Sequence, residues 1–142
     1  MNRREALQRA GLVAAVAALG TRSAQAETVM NRMEMKPKDP SKLVPFELKH
    51  TPEITLGEKD AQGYTAVHIT VGQDGIIHPS TADHWIDFIS LYADGKLVGK
   101  SVLEAEISRG AASFGVKLDG IKTLTAKAGC NLHGIWTGEL VI

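Results

Sequence analysis

Beyond residue 46 the chain is cut into short pieces by turns, and that spacing limits its fold more than any other feature. Asp94-Gly95 lies between two apolar runs, "HWIDFISLY" and "LVGKSVLEAEI". A two-residue type I′ turn needs positive φ at both central positions, and Asp-Gly supplies it. Asp119-Gly120 marks another turn. Between turns the apolar residues alternate: Val67, Ile69 and Val71, then Phe114, Val116 and Leu118, then Leu124, Ala126 and Ala128. A period of two places each set on one face of a strand. "LGEKDAQGY" reads as a further hairpin and "IWTGELVI" as a last strand. No window after the first 26 residues carries a helical period. About seven short strands, with a turn roughly every 8–12 residues, predict an all-β chain folded as an immunoglobulin-like sandwich.

The front of the chain reads differently. Residues 1–26 have a basic start (Arg3, Arg4, Arg9), a short apolar run from Leu12 to Gly20, and Ala24-Gln25-Ala26 as a cleavage signature. This is the pattern of a signal peptide, too short to span a membrane. The paired arginines and the Ala-rich apolar run point to the twin-arginine route and a periplasmic destination. Residues 27–46 are rich in Pro and Lys without a period and read as an extended arm. The domain then runs from 47 to 142.

The whole chain is neutral, with 16 basic and 16 acidic residues. The leader holds four Arg and one Glu, which leaves the rest of the chain mildly acidic. No basic block or aromatic stripe suggests nucleic-acid binding.

One cysteine, Cys130, stands in "AGCNLHGIW" with His133 three residues on. A lone cysteine in an exported chain has no internal disulfide partner, so it is a link between chains, a buried bystander, or a reactive or metal-bound thiolate. Five histidines accompany it: His50, His68, His78, His84 and His133. His68 lies on the strand face opposite the valines and reads as solvent-side. The other four sit in loops at strand ends, where a rigid sandwich gathers functional groups. Together with Cys130 they form a nitrogen and sulfur set suited to zinc, copper, iron or nickel. Structural zinc is usually closed, tetrahedral and richer in cysteine. A blue-copper site would leave two of the histidines unused. Five donors favour a metal that accepts five or six ligands, such as ferrous iron, with one position open.

Three segments carry a resemblance. "KHTP", "HPSTADHWI" and "CNLHG", in that order, resemble the iron-binding domain of superoxide reductases, the desulfoferrodoxin and neelaredoxin family. The resemblance covers about Glu47 to Ile142. It implies a seven-stranded sandwich holding one iron per chain, cycling between Fe(2+) and Fe(3+). It implies His50, His78, His84 and His133 as equatorial ligands and Cys130 as the axial one. The implied reaction is one-electron reduction of superoxide to hydrogen peroxide. Lys49 would then attract the anion. Many members have Glu directly before that lysine; here Leu48 takes the place, and Glu47, one residue back, is the candidate sixth ligand. With one cysteine in this sequence, a second, four-cysteine iron is not expected. Electrons would therefore come from an external donor protein, rubredoxin-like or other. A homo-oligomer is the family habit. An alternative is an exported iron-binding electron-transfer protein without fast superoxide chemistry, in which Lys49 would matter little.

Overall fold

The structure is a computed structural model that describes residues 32–142. The leader and its route of export lie outside the described residues. Nine elements follow in order: β1 (Glu34–Met35), α1 (Pro45–His50), β2 (Pro52–Lys59), β3 (Thr65–Val71), β4 (Ile86–Ala93), β5 (Lys96–Val102), β6 (Ala111–Val116), β7 (Thr123–Cys130) and β8 (Gly134–Val141). Two sheets face each other. One has the order β1-β8-β7-β4-β5, the other β2-β3-β6. All pairings are antiparallel except β1 with β8. This is the expected all-β sandwich, with the two-residue β1 as an extra edge piece.

The alternating residues make the core. Val67, Ile69 and Val71 of β3 are fully buried, as are Ile89 and Leu91 of β4 and Leu124, Ala126 and Ala128 of β7. Each large aliphatic side chain so placed contributes about 1.5–3 kcal/mol through loss of water contact. Within β4 the inward residues are Ile86 and then Ile89, three apart rather than two. A bulge absorbs the extra residue: Ile86 pairs with Cys130 and Phe88 already with Gly129. Asp94 and Gly95 both have positive φ, 46° and 81°, as the type I′ turn requires.

α1 departs from the helix-free reading. It has only six residues, too few to display a period. Its signals are terminal instead. Pro45 starts it, and Glu47 reaches back to accept a hydrogen bond from the Val44 amide at 3.0 Å. Pro52, two residues after His50, begins a strand. The arm is also more ordered than its composition suggests. Met33 accepts a bond from the Ile135 amide at 2.8 Å, β1 pairs with the start of β8, and Glu34 forms an ion pair with Lys127 at 3.1 Å.

Topology places the histidines. His50 ends α1 just before β2, His78 and His84 lie between β3 and β4, and Cys130 and His133 lie where β7 gives way to β8. The end of α1 and these two connections meet at one end of the sandwich. The β2–β3, β4–β5 and β6–β7 turns occupy the other.

Candidate metal centre

His50 is the last residue of α1 and is fully buried. Its Nδ1 donates to the Phe46 carbonyl at 2.8 Å, which fixes the tautomer and leaves Nε2 with a free lone pair. His78 is built the same way: it is 1 % exposed, and its Nδ1 donates to the Pro79 carbonyl at 2.8 Å. The Nε2 atoms of His78 and His84 are buried without any hydrogen-bond partner. Buried ring nitrogens left bare in this way are what a bound cation would satisfy.

The rings form a square. Neighbouring centroids are 4.9 Å apart for His50–His78, 4.7 Å for His78–His84, 5.0 Å for His84–His133 and 5.0 Å for His133–His50. Each adjacent pair is edge to face, between 75° and 83°. The His50–His84 diagonal is longer, 6.1 Å. Donor atoms of His50, His78, His84 and Cys130 all lie within 4.8 Å of one another. His133 enters through Nδ1, which is 3.2 Å from His50 Nε2 and 3.5 Å from Cys130 Sγ. Nitrogen donors sit about 2.0–2.1 Å from a first-row ion and sulfur about 2.3 Å, so donors packed this closely surround a space of single-ion size. The five residues singled out from sequence are therefore brought together, and their donor chemistry fits a transition metal. His68 stays out: it is exposed and bonds Ser113 Oγ at 2.7 Å.

The electrostatics agree with that use. Burial lowers His50 to about 4 and His78 to about 3. His84 and His133 are lowered as well, first by burial and then by neighbouring positive charge. All four imidazoles are thus held neutral, the form that ligates metal. Burial pushes the Cys130 thiol up, opposed by the backbone amides of Leu132 and His133. Without a cation the thiol stays protonated at neutral pH; a bound ion is needed to hold the thiolate. Lys49 is close enough for its charge to act on all four histidines and on Cys130.

Glu47 is placed elsewhere than a sixth ligand requires. It is buried, and its two carboxylate oxygens are taken by backbone amides, Oε1 by Val44 at 3.0 Å and Oε2 by Lys38 at 2.8 Å. These bonds hold its carboxyl below the usual range and tie the arm to the helix that carries His50.

Two supporting residues escaped the sequence reading. Asn131 clamps the His84 loop: its Nδ2 donates to the Asp83 carbonyl at 2.8 Å, and its Oδ1 accepts from the Trp85 amide at 2.8 Å. Its own amide donates to the Trp85 carbonyl at 3.1 Å. One side chain thus brackets His84 from both sides and joins it to the Cys130 loop. Trp136 donates from Nε1 to the His133 carbonyl at 2.9 Å and stacks on His50 at 5.4 Å. The signal was in the "CNLH" string itself, where an amide side chain sits between two donors.

Four imidazoles squared around a buried thiol, at one end of an immunoglobulin-like sandwich, define a mononuclear metal-centre protein. The desulfoferrodoxin family model matches residues 42–139, and the chain belongs to that family, the family of the superoxide reductases. It is 38 % identical over 91 residues to desulfoferrodoxin of Nitratidesulfovibrio vulgaris, a match covering 64 % of this chain and 62 % of that protein, so the match spans less than two thirds of that relative. Against the superoxide reductase of Pyrococcus abyssi it is 34 % identical over 101 residues, covering 65 % of this chain and 85 % of that one. The solved superoxide reductase (1Fe-SOR) from Giardia intestinalis superposes with a TM-score of 0.57 at 31 % identity, covering 66 % of this chain and 98 % of that one.

Proposed function

We propose that this chain is a superoxide reductase that converts superoxide to hydrogen peroxide at one iron held by His50, His78, His84, His133 and Cys130. The square of neutral imidazoles beside Cys130, with bare, buried nitrogens on His78 and His84, is the observation that carries the reading. Iron, when bound, supplies the single electron by passing between Fe(2+) and Fe(3+). Each superoxide takes up that electron and two protons.

The chain's own residues do the rest. The Phe46 and Pro79 carbonyls orient the rings of His50 and His78. Asn131 holds the His84 loop to the Cys130 loop. Cys130, as thiolate, donates electron density from the sulfur side. Lys49 draws the anion in and stabilises charge that builds on it. Glu47, engaged by two amides, serves the arm rather than the reacting centre.

An external donor protein re-reduces the iron. The leader is a twin-arginine signal, the working compartment the periplasm, and the active form a homo-oligomer. The test is metal content with a visible spectrum before and after oxidation. About one iron per chain, and a blue thiolate-to-ferric band lost in Cys130→Ser, supports the site. Zinc, copper or no metal, with no such band, overturns it. Against the electron-carrier alternative, Lys49→Ala decides: it slows the superoxide reaction in a reductase and leaves a carrier unaffected.

A further inference from the structure

Asp87 is the one carboxylate with a buried, unpartnered oxygen among the described residues: its Oδ1 has no hydrogen-bond partner. It is the inserted residue of the β4 bulge, between Ile86, which pairs with Cys130, and Phe88, which pairs with Gly129. Gly129 makes the room it occupies. A Cβ at Gly129 would stand 2.7 Å from Asp87 Oδ1 and 2.3 Å from Phe88 Cε1, and real Cβ contacts do not come so close. The carboxyl therefore lies against the peptide that leads into Cys130. Burial raises its pKa; Arg32, Lys100 and nearby backbone amides pull it back, and its charge in turn disfavours the Cys130 thiolate. Asp87 is half-buried, and its one buried oxygen without a partner is costly to keep. Asp87 is not among the clustered donors, so ligation does not account for it.

We infer that Asp87 is a positioning residue of an electrostatic kind, whose carboxylate, lodged behind the Gly129–Cys130 peptide, biases bound iron toward the oxidised state. The inference rests on the iron reading above. The physical reason is Coulombic: negative charge on the sulfur side, only partly screened by solvent, favours the more positive metal.

The test is a redox titration of the iron-loaded full chain, followed by the thiolate-to-ferric band, for wild type, Asp87→Asn and Asp87→Glu. Asp87→Asn is expected to shift the one-electron equilibrium toward ferrous iron by about tenfold, or ~59 mV. Asp87→Glu keeps the charge and stays within about twofold of wild type. Should Asp87→Asn fail to fold, Asp87→Ser removes the charge with less bulk and carries the same expectation. An unmoved equilibrium in the neutral variants overturns the inference. So does an equal shift in Asp87→Glu, which would make shape rather than charge the cause. A wild-type protein without iron or band overturns the reductase reading and this inference together. A wild type with the band and an unmoved Asp87→Asn overturns the inference alone.

Discussion

At the end of the sandwich away from the histidines, local chemistry closes each turn. Asp60 accepts bonds from the Gln62 and Tyr64 amides at 2.9 Å each. Asp94 accepts from the Thr123 amide at 2.9 Å and the Lys122 amide at 3.1 Å, so one turn holds its neighbour. The histidine end is built the other way. Among the described residues, the buried polar side-chain atoms without partners, on Thr51, His78, His84, Trp85 and Asp87, all belong to that end. The first end is satisfied by the protein alone and serves stability. At the second, the bare Nε2 atoms of His78 and His84 are the ones a bound ion would take, and they mark function.

Substitutions can break that contrast or sharpen it. The largest effect is expected at Cys130. Cys130→Ser should abolish the blue band and lower the superoxide rate by orders of magnitude while far-ultraviolet circular dichroism still reports a β-sandwich. Loss of the fold as well would mean that the metal end also carries global stability. Lys49→Ala comes next. With its cation gone, the bimolecular superoxide rate, followed by pulse radiolysis, should fall about 10- to 100-fold and lose most of its ionic-strength dependence. Asn131→Ala removes both bonds that bracket His84. Iron release to a chelator should speed up by about 10-fold or more, while the metal-free fold loses about 1–2 kcal/mol for the two missing bonds.

At the far end the expectation reverses. Asp94→Ala should cost about 1–2 kcal/mol in denaturant unfolding through lost amide acceptors and a strained positive φ, and leave the iron spectrum unchanged. pH separates the two ends as well. The folded metal-free protein holds His50 near 4 and His78 near 3, below their ordinary 6.5, so the unfolded chain binds protons first as pH falls. The stability from these two groups is complete above about 6.5 and is lost on acidification toward 4 and then 3. Urea titrations of metal-free protein at pH 7 and pH 5 should show the midpoint falling, and His50→Phe should flatten that slope.

What could be read from the sequence divides along the same line. Strand faces and the Asp94-Gly95 turn carry their signal within a few residues, so alternation and turn chemistry predicted them. The five clustered donors were found through short strings whose spacing survives any fold. Other features depend on distant partners. β1 exists because β8 offers an edge to it, and α1 is too short to show a period. Glu47 faces the arm because the amides of Lys38 and Val44 are there to receive it, and nothing beside Glu47 in the sequence marks Lys38 as its partner. The β4 bulge lies between: Ile86 and Ile89 stand three apart in the sequence, a spacing that alternation alone leaves unexplained.

The separation of the donors along the chain bears on how the protein comes to be loaded. His50 and His133 are 83 residues apart, and their nitrogens meet at 3.2 Å. The entropic penalty for closing so long a loop is met by pairing of the strands between them, not by the ring contact itself. A nascent chain holding only His50, His78 and His84 lacks the sulfur and the fourth imidazole until residues 130–133 have emerged. High-affinity capture of metal therefore waits for the β7–β8 connection. The rate at which chelator-resistant iron accumulates in a refolding sample then becomes a clock for closure of the whole sandwich.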